Sequence, residues 1–198
     1  MGAKANDSVF TRSFSSLIVA LIFYVNHQGD FLSATEIDSS MNKLLDYVNR
    51  EVDVRGLVEG KGWAHSIAHV ADAITEGLKQ SKLSKNLREE LLLAIVEKMC
   101  FQNDSYLFEE NERMVVPIIT ILQSEGNDYV LMKRIREKVA ELCNVFPEDD
   151  EALLMYRFNF KQFLHSLYFH LEAKDQNEEL RTLIKYSLRQ LNEPYYHF

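Results

Sequence analysis

Two imidazoles and a carboxylate recur at helical spacing in the stretch Lys61-Gly62-Trp63-Ala64-His65-Ser66-Ile67-Ala68-His69-Val70-Ala71-Asp72. Steps of four and three residues bring His65, His69 and Asp72 back to one line on a helix, and Glu76 continues that line. Two chemistries suit such a set. Histidines at i and i+4 can share a divalent ion, with Asp72 as a third ligand. On a concave surface the same groups are hydrogen-bond partners for a peptide or a small polar ligand. The spacing lacks the Glu between the histidines that gives HExxH its zinc-hydrolase chemistry. A third reading, a polar stripe that only hydrogen-bonds neighbouring helices, needs no ligand at all.

Positioning this stripe requires a helix through the whole stretch. At 100° per residue Trp63, Ile67, Val70, Ala71, Ile74 and Leu78 gather on a face expected to enter the core. Gly62, Ser66, Ala68, Ala73 and Gly77 flank the polar line. Side chains this small let neighbouring helices approach, so the stripe is expected to line a groove.

The rest of the chain repeats one pattern, an amphipathic segment of helix length followed by a short polar break. Breaks fall at His27-Gln28-Gly29-Asp30, Val54 to Gly62, Gln102-Asn103-Asp104, Ser124 to Asp128 and Phe146 to Asp150, and Pro194 stops the last segment. Ser33 with Glu36 forms a cap-like start for the second helix. Pro117 lies inside the fifth, where it kinks or shortens the helix. No sustained alternating pattern bounded by hairpin turns is present, which argues against sheet. The expected fold is all-α: about eight helices in antiparallel pairs, a HEAT-like α-solenoid or an irregular bundle, in one domain over residues 1–198.

Composition narrows the function classes. The 198 residues carry 30 acidic and 22 basic groups, a formal charge of -8, the wrong sign for a nucleic-acid binder. Cys100 and Cys143 form no CxxC pair and are expected to be reduced and buried, which fits the cytoplasm. The apolar run Leu17 to Val25 falls short of the roughly 20 residues that span a bilayer, so a buried helix and no membrane partner are expected. No nucleophile elbow, glycine-rich phosphate loop or reactive-cysteine context occurs.

Asp53-Val54-Arg55-Gly56, followed by Lys61 to Asp72, resembles the signature of a bacterial family catalogued as domain of unknown function 2785. Asp7 to Leu17, Glu110 to Met114 and Asn159 to Phe169 are similar to further segments of that family, in the same order. The resemblance implies a helical fold and transfers no activity. Members of that family have further helical sequence before the Asp7 segment, which here begins a few residues after Met1. The expectation is that a helical pair covering the apolar face of the first helix is missing from this chain and that a second copy could meet that face. His165 stands where the family pattern has Arg.

In the seventh helix Lys161, His165, Tyr168 and Glu172 share a polar stripe. If helices three, five and seven are equivalent members of successive pairs, Glu112, Arg113 and Lys161 join His65, His69, Asp72 and Glu76 on one surface. Asp53 and Arg55 sit just before the opening helix, where they form a local salt bridge that anchors the loop or contact a ligand, and Lys61 places its charge at the mouth of the groove. The expected function is therefore a helical-repeat binding protein for a peptide, a protein segment or a small polar ligand, with no cofactor. The alternative is a metal-dependent hydrolase in which His65, His69 and Asp72 hold the ion and Glu112 or Glu76 acts as base. A homodimer through the first helix is a further expectation.

Overall fold

A computed structural model describes residues 6–125, 128–143 and 150–196. Among them are eight α-helices: α1 (Ser8–Gly29), α2 (Ala34–Arg50), α3 (Ser66–Leu78), α4 (Lys85–Lys98), α5 (Glu110–Glu125), α6 (Asp128–Cys143), α7 (Glu151–Ala173) and α8 (Glu178–Asn192). The fold is all-α, as the periodicity requires. The expected breaks at Gly126-Asn127 and Phe146 to Asp149 lie outside the described residues.

Local chemistry sets several ends. Ser33 Oγ accepts from the Glu36 amide at 3.3 Å while Glu36 Oε2 accepts from the Ser33 amide at 2.9 Å, closing the capping box before α2. Asp150 accepts from the amides of Ala152 and Leu153 at the start of α7. Pro117 neither ends nor shortens α5, which continues through it to Glu125.

The helices pack in two rows. α1, α3, α5 and α7 lie side by side in chain order, and α2, α4, α6 and α8 form a second row behind them. Between the rows lies one continuous core that includes Phe23, Met41, Ile67, Ile74, Leu91, Ile95, Met114, Phe160 and Phe163. Helix α3 is the most enclosed member, since Ser66, Ile67, Ala68, Val70, Ala71, Ala73, Ile74, Thr75, Gly77 and Leu78 are all buried. At Gly77 an added Cβ would run into Met41 and Phe23, so α1, α2 and α3 meet where α3 has no side chain.

Three expectations are corrected. A two-stranded antiparallel sheet exists: β1 (Leu57–Val58) pairs with β2 (Gly62–Trp63) in the register Leu57 to Trp63 and Val58 to Gly62. The turn works because Gly60 and Gly62 take φ values of 71° and 88°, which side chains disfavour. Cys100 is buried but Cys143 is exposed. And α1, at 22 residues, is long and apolar enough by length and composition to cross a membrane. It is not a buried helix: Val9, Ser13, Ser16, Ala20, Phe23 and Asn26 face inward while Phe14, Ile18, Leu21, Ile22, Tyr24 and Val25 are exposed.

A buried amide pair joins the ends of α1 and α3. Asn26 Nδ2 donates to Gln80 Oε1 at 2.7 Å and Asn26 Oδ1 accepts from the Leu32 amide at 2.6 Å. Gln80 Nε2 in turn donates to the carbonyls of Phe23 and Glu76. Replacing Asn26 by Ala strands a buried acceptor and a backbone donor, so Asn26→Ala is expected to cost about 2–3 kcal/mol in urea unfolding.

Candidate functional site

The stretch from Lys61 to Asp72 is half hairpin and half helix. Backbone pairing continues past β2, with the Ala64 amide donating to Gly56 O at 2.8 Å and the His65 amide to Arg55 O at 3.1 Å. Residues 61–65 are therefore not helical, His65 sits at the cap with φ 45°, and α3 begins at Ser66. Trp63, expected in the core, is 49% exposed on β2. The physical reason is the pair of left-handed glycines, which turns the chain back before the helix can start.

This turn assembles a chain of rings. Phe108 packs against Trp63 at 5.6 Å between centroids, Trp63 against His65 at 4.3 Å, His65 against His69 at 5.9 Å and His69 against Phe14 at 5.5 Å. Such spacings suit edge-on and tilted aromatic contacts. Gly56 makes room for it, because a Cβ there would strike the Phe108 side chain. His65 Nε2 is closed off from solvent and has no hydrogen-bond partner among the described residues.

His69 is held by α1. Ser13 Oγ donates to the Ala64 carbonyl and lies 2.7 Å from His69 Nδ1. A hydroxyl has one proton, so His69 donates from Nδ1 and keeps its lone pair on Nε2. Burial pushes His65 and His69 below the ordinary imidazole range. Arg113 adds to the depression at both, His65 adds to it at His69, and Asp72 opposes it.

Asp72 and Glu76 find other partners. Arg113 on α5 pairs with Asp72, and Lys79 pairs with Glu76 at 2.5 Å. Next along α5, Glu112 accepts from Ser166 Oγ at 2.5 Å and meets His170 Nε2 at 2.9 Å. Asn111 Nδ2 donates to Ser166 Oγ at 2.6 Å. A polar ribbon thus crosses the first row from α1 through α3 and α5 to α7.

Among the described residues no three His, Cys, Asp or Glu side chains gather as a set that could hold a metal ion. Asp72 is turned to Arg113, and Glu112 to α7.

Other expected members serve the framework. Asp53, fully buried, takes the Arg55 guanidinium on both oxygens, at 2.7 and 2.6 Å, while its carbonyl accepts from Ser66 Oγ. Beside it Arg12 grips the buried Glu51 through two bonds of 2.6 and 2.8 Å, and Lys98 Nζ donates to Glu51 O at 2.8 Å. Lys61 forms a surface pair with Asp7 at 2.6 Å. Lys161 does not join the ribbon: it donates to Asn192 Oδ1 at 2.7 Å and sits over the Tyr195 ring. Its stripe faces α8, where His165, Tyr168 and Phe169 line a cavity of about 580 Å³ with Lys185 and Arg189.

Residues that sequence reasoning passed over are Phe14, Phe108, Ser13, Ser166 and His170. One signal was available for α7, since Asn159, Ser166 and His170 recur at seven and four residues on a second polar line.

The segments similar to the family signature meet here: Asp7 to Leu17 through Arg12 and Ser13, Asp53 to Gly56, Lys61 to Asp72, Glu110 to Met114 through Arg113, and Asn159 to Phe169 through Ser166. A family described as "Protein of unknown function (DUF2785)" matches residues 1–169. The chain belongs to this family. Comparisons with curated proteins and with solved structures give no match.

The depressed imidazoles set a pH dependence. The unfolded chain protonates its histidines near pH 6.5, before the folded chain protonates His65 and His69. As pH falls through that value the unfolded state binds more protons, and stability is lost. The fall in Tm between neutral and mildly acidic pH is expected to shrink in His69→Asn, which keeps a donor for Ser13 Oγ and removes the titrating ring.

Proposed function

We propose that the chain is a non-enzymatic interaction protein built of HEAT-like stacked helical pairs, which takes a peptide or protein segment along the strip of surface between α1 and α5. One observation carries this reading. Helix α3 reaches solvent only through His69, Asp72 and Glu76, and beside that opening stand two half-exposed aromatic side chains, Phe14 and Trp63.

The chemistry left over for a ligand is specific. Asp72, Arg113, Glu112, Glu76 and His170 are taken up in ion pairs and hydrogen bonds with one another or with Lys79 and Ser166. What remains is the indole face of Trp63 and the acceptor Nε2 of His69, with Phe14 packed against that imidazole. A segment that lays an apolar side chain on Trp63 and offers a backbone or side-chain donor to His69 fits that set, the ordinary division of a binding site into an apolar anchor and a few placed polar groups. The metal-hydrolase alternative needs Asp72 as a ligand and Glu112 or Glu76 as base, and the partners of all three compete with that use.

Trp63 is the only tryptophan of the chain and so its own reporter. Peptides selected from a random displayed library on the intact chain are expected to shift the Trp63 emission and to bind about tenfold more weakly to His69→Ala, the loss of one well-placed contact. Trp63→Ala should abolish selection of the same sequences. Peptides that bind both variants as well as they bind the unchanged chain would rule out this surface.

A further inference from the structure

The exposed side of α1 carries a pattern that a single chain leaves unused. Phe14, Ile18, Leu21 and Val25 follow one another at steps of four, three and four, the spacing of a two-helix seam, and all four are exposed. Ile22 flanks the seam on one side and Tyr24 on the other, and these six side chains are between 41% and 58% exposed. At roughly 200 Å² for a large side chain, they leave about 600 Å² of contiguous apolar surface. That is the upper end of what monomers expose, roughly 300–600 Å², and with the flanking Thr11, Ser15 and Gln28 it approaches the roughly 800 Å² per partner of a stable complex.

We propose that this face is the interface of a homodimer in which α1 of two copies pack antiparallel. The spacing maps onto itself when the helix direction is reversed about the midpoint between Val19 and Ala20. Phe14 then lies against the partner's Val25, a large side chain against a small one, and Ile18 against the partner's Leu21. Thr11 and Gln28 fall at the two polar ends of the seam. No charged residue occurs between Ser13 and Asn26, so nothing in the seam repels an identical surface. The one basic residue near it, Arg12, is turned to Glu51. Inward, the same helix is fixed by the Ser13 and Asn26 contacts to the α3 side, so it is presented as a rigid face rather than a loose arm. Phe14 belongs to both surfaces, one edge on His69 and the rest in the seam.

Charge adds a sign. Two copies at -8 each repel at long range, and salt screens that repulsion without weakening apolar contact, so association tightens as ionic strength rises.

The test is the mass of the whole chain by sedimentation or light scattering at tens of micromolar. A species of twice 23.1 kDa is expected, converted to monomer by Ile18→Glu and by Leu21→Glu with unchanged helical circular dichroism, because both side chains face solvent in the monomer. In a Cys143→Ser background, Ile18→Cys chains mixed with Leu21→Cys chains are expected to form the mixed disulfide. A monomer at every concentration overturns the proposal, as does a dimer that survives both Glu substitutions. Exclusively like-with-like disulfides overturn the antiparallel register. A monomer that cosediments with phosphatidylglycerol vesicles, and ceases to in Leu21→Glu, assigns the face to lipid instead.

Discussion

Small side chains on α3 let α1, α2 and α5 close around it. Ala68, Ala71, Ala73 and Gly77 are buried, and at Gly77 there is no room even for a methyl group beside Met41 and Phe23. With three neighbours drawn in, only His69, Asp72 and Glu76 escape to the surface, one every three or four residues. Each then meets a different element: Ser13 of α1, Arg113 of α5, and Lys79 just beyond α3. The site is thus a consequence of packing. Close approach removes every solvent-facing position but one stripe, and the stripe is polar because it is what water still reaches.

Buried charge fixes the entry into that helix. Glu51 and Asp53 are fully buried two residues apart, and leaving either carboxylate uncompensated would be costly. Arg12 and Arg55 answer them with forked contacts, and Lys98 secures the Glu51 carbonyl. The chain between α2 and α3 is thereby locked to α1 and α4, and the hairpin that carries Trp63 starts from a rigid base. Asp53 and Arg55 thus form the local ion pair that their place before α3 suggests, and through Ser66 they anchor the loop to the helix.

The helices, their order and the capping box were legible from apolar periodicity and from Ser33 with Glu36, because both are local properties of the chain. The α3 stripe was legible from His69, Asp72 and Glu76 for the same reason. Trp63 was not: a helical projection places it inward, and only the positive φ of Gly60 and Gly62 turns it out. The partners of Asp72 and Glu112 were half legible, since the Glu112-Arg113 pair is visible in sequence while its targets on α3 and α7 depend on how the rows stack. Likewise α1 shows an apolar run in sequence, and only its packing on α3 reveals which half of the helix is left uncovered.

Native-state hydrogen exchange tests the enclosure of α3 most directly. A helix held on three sides by close-packed neighbours opens only when the whole domain unfolds. The amides from Val70 to Leu78 are expected to be the slowest in the chain and to share one free energy, equal to that of global unfolding. Faster exchange in α3 than in α6 or α8, through local opening, would contradict the account.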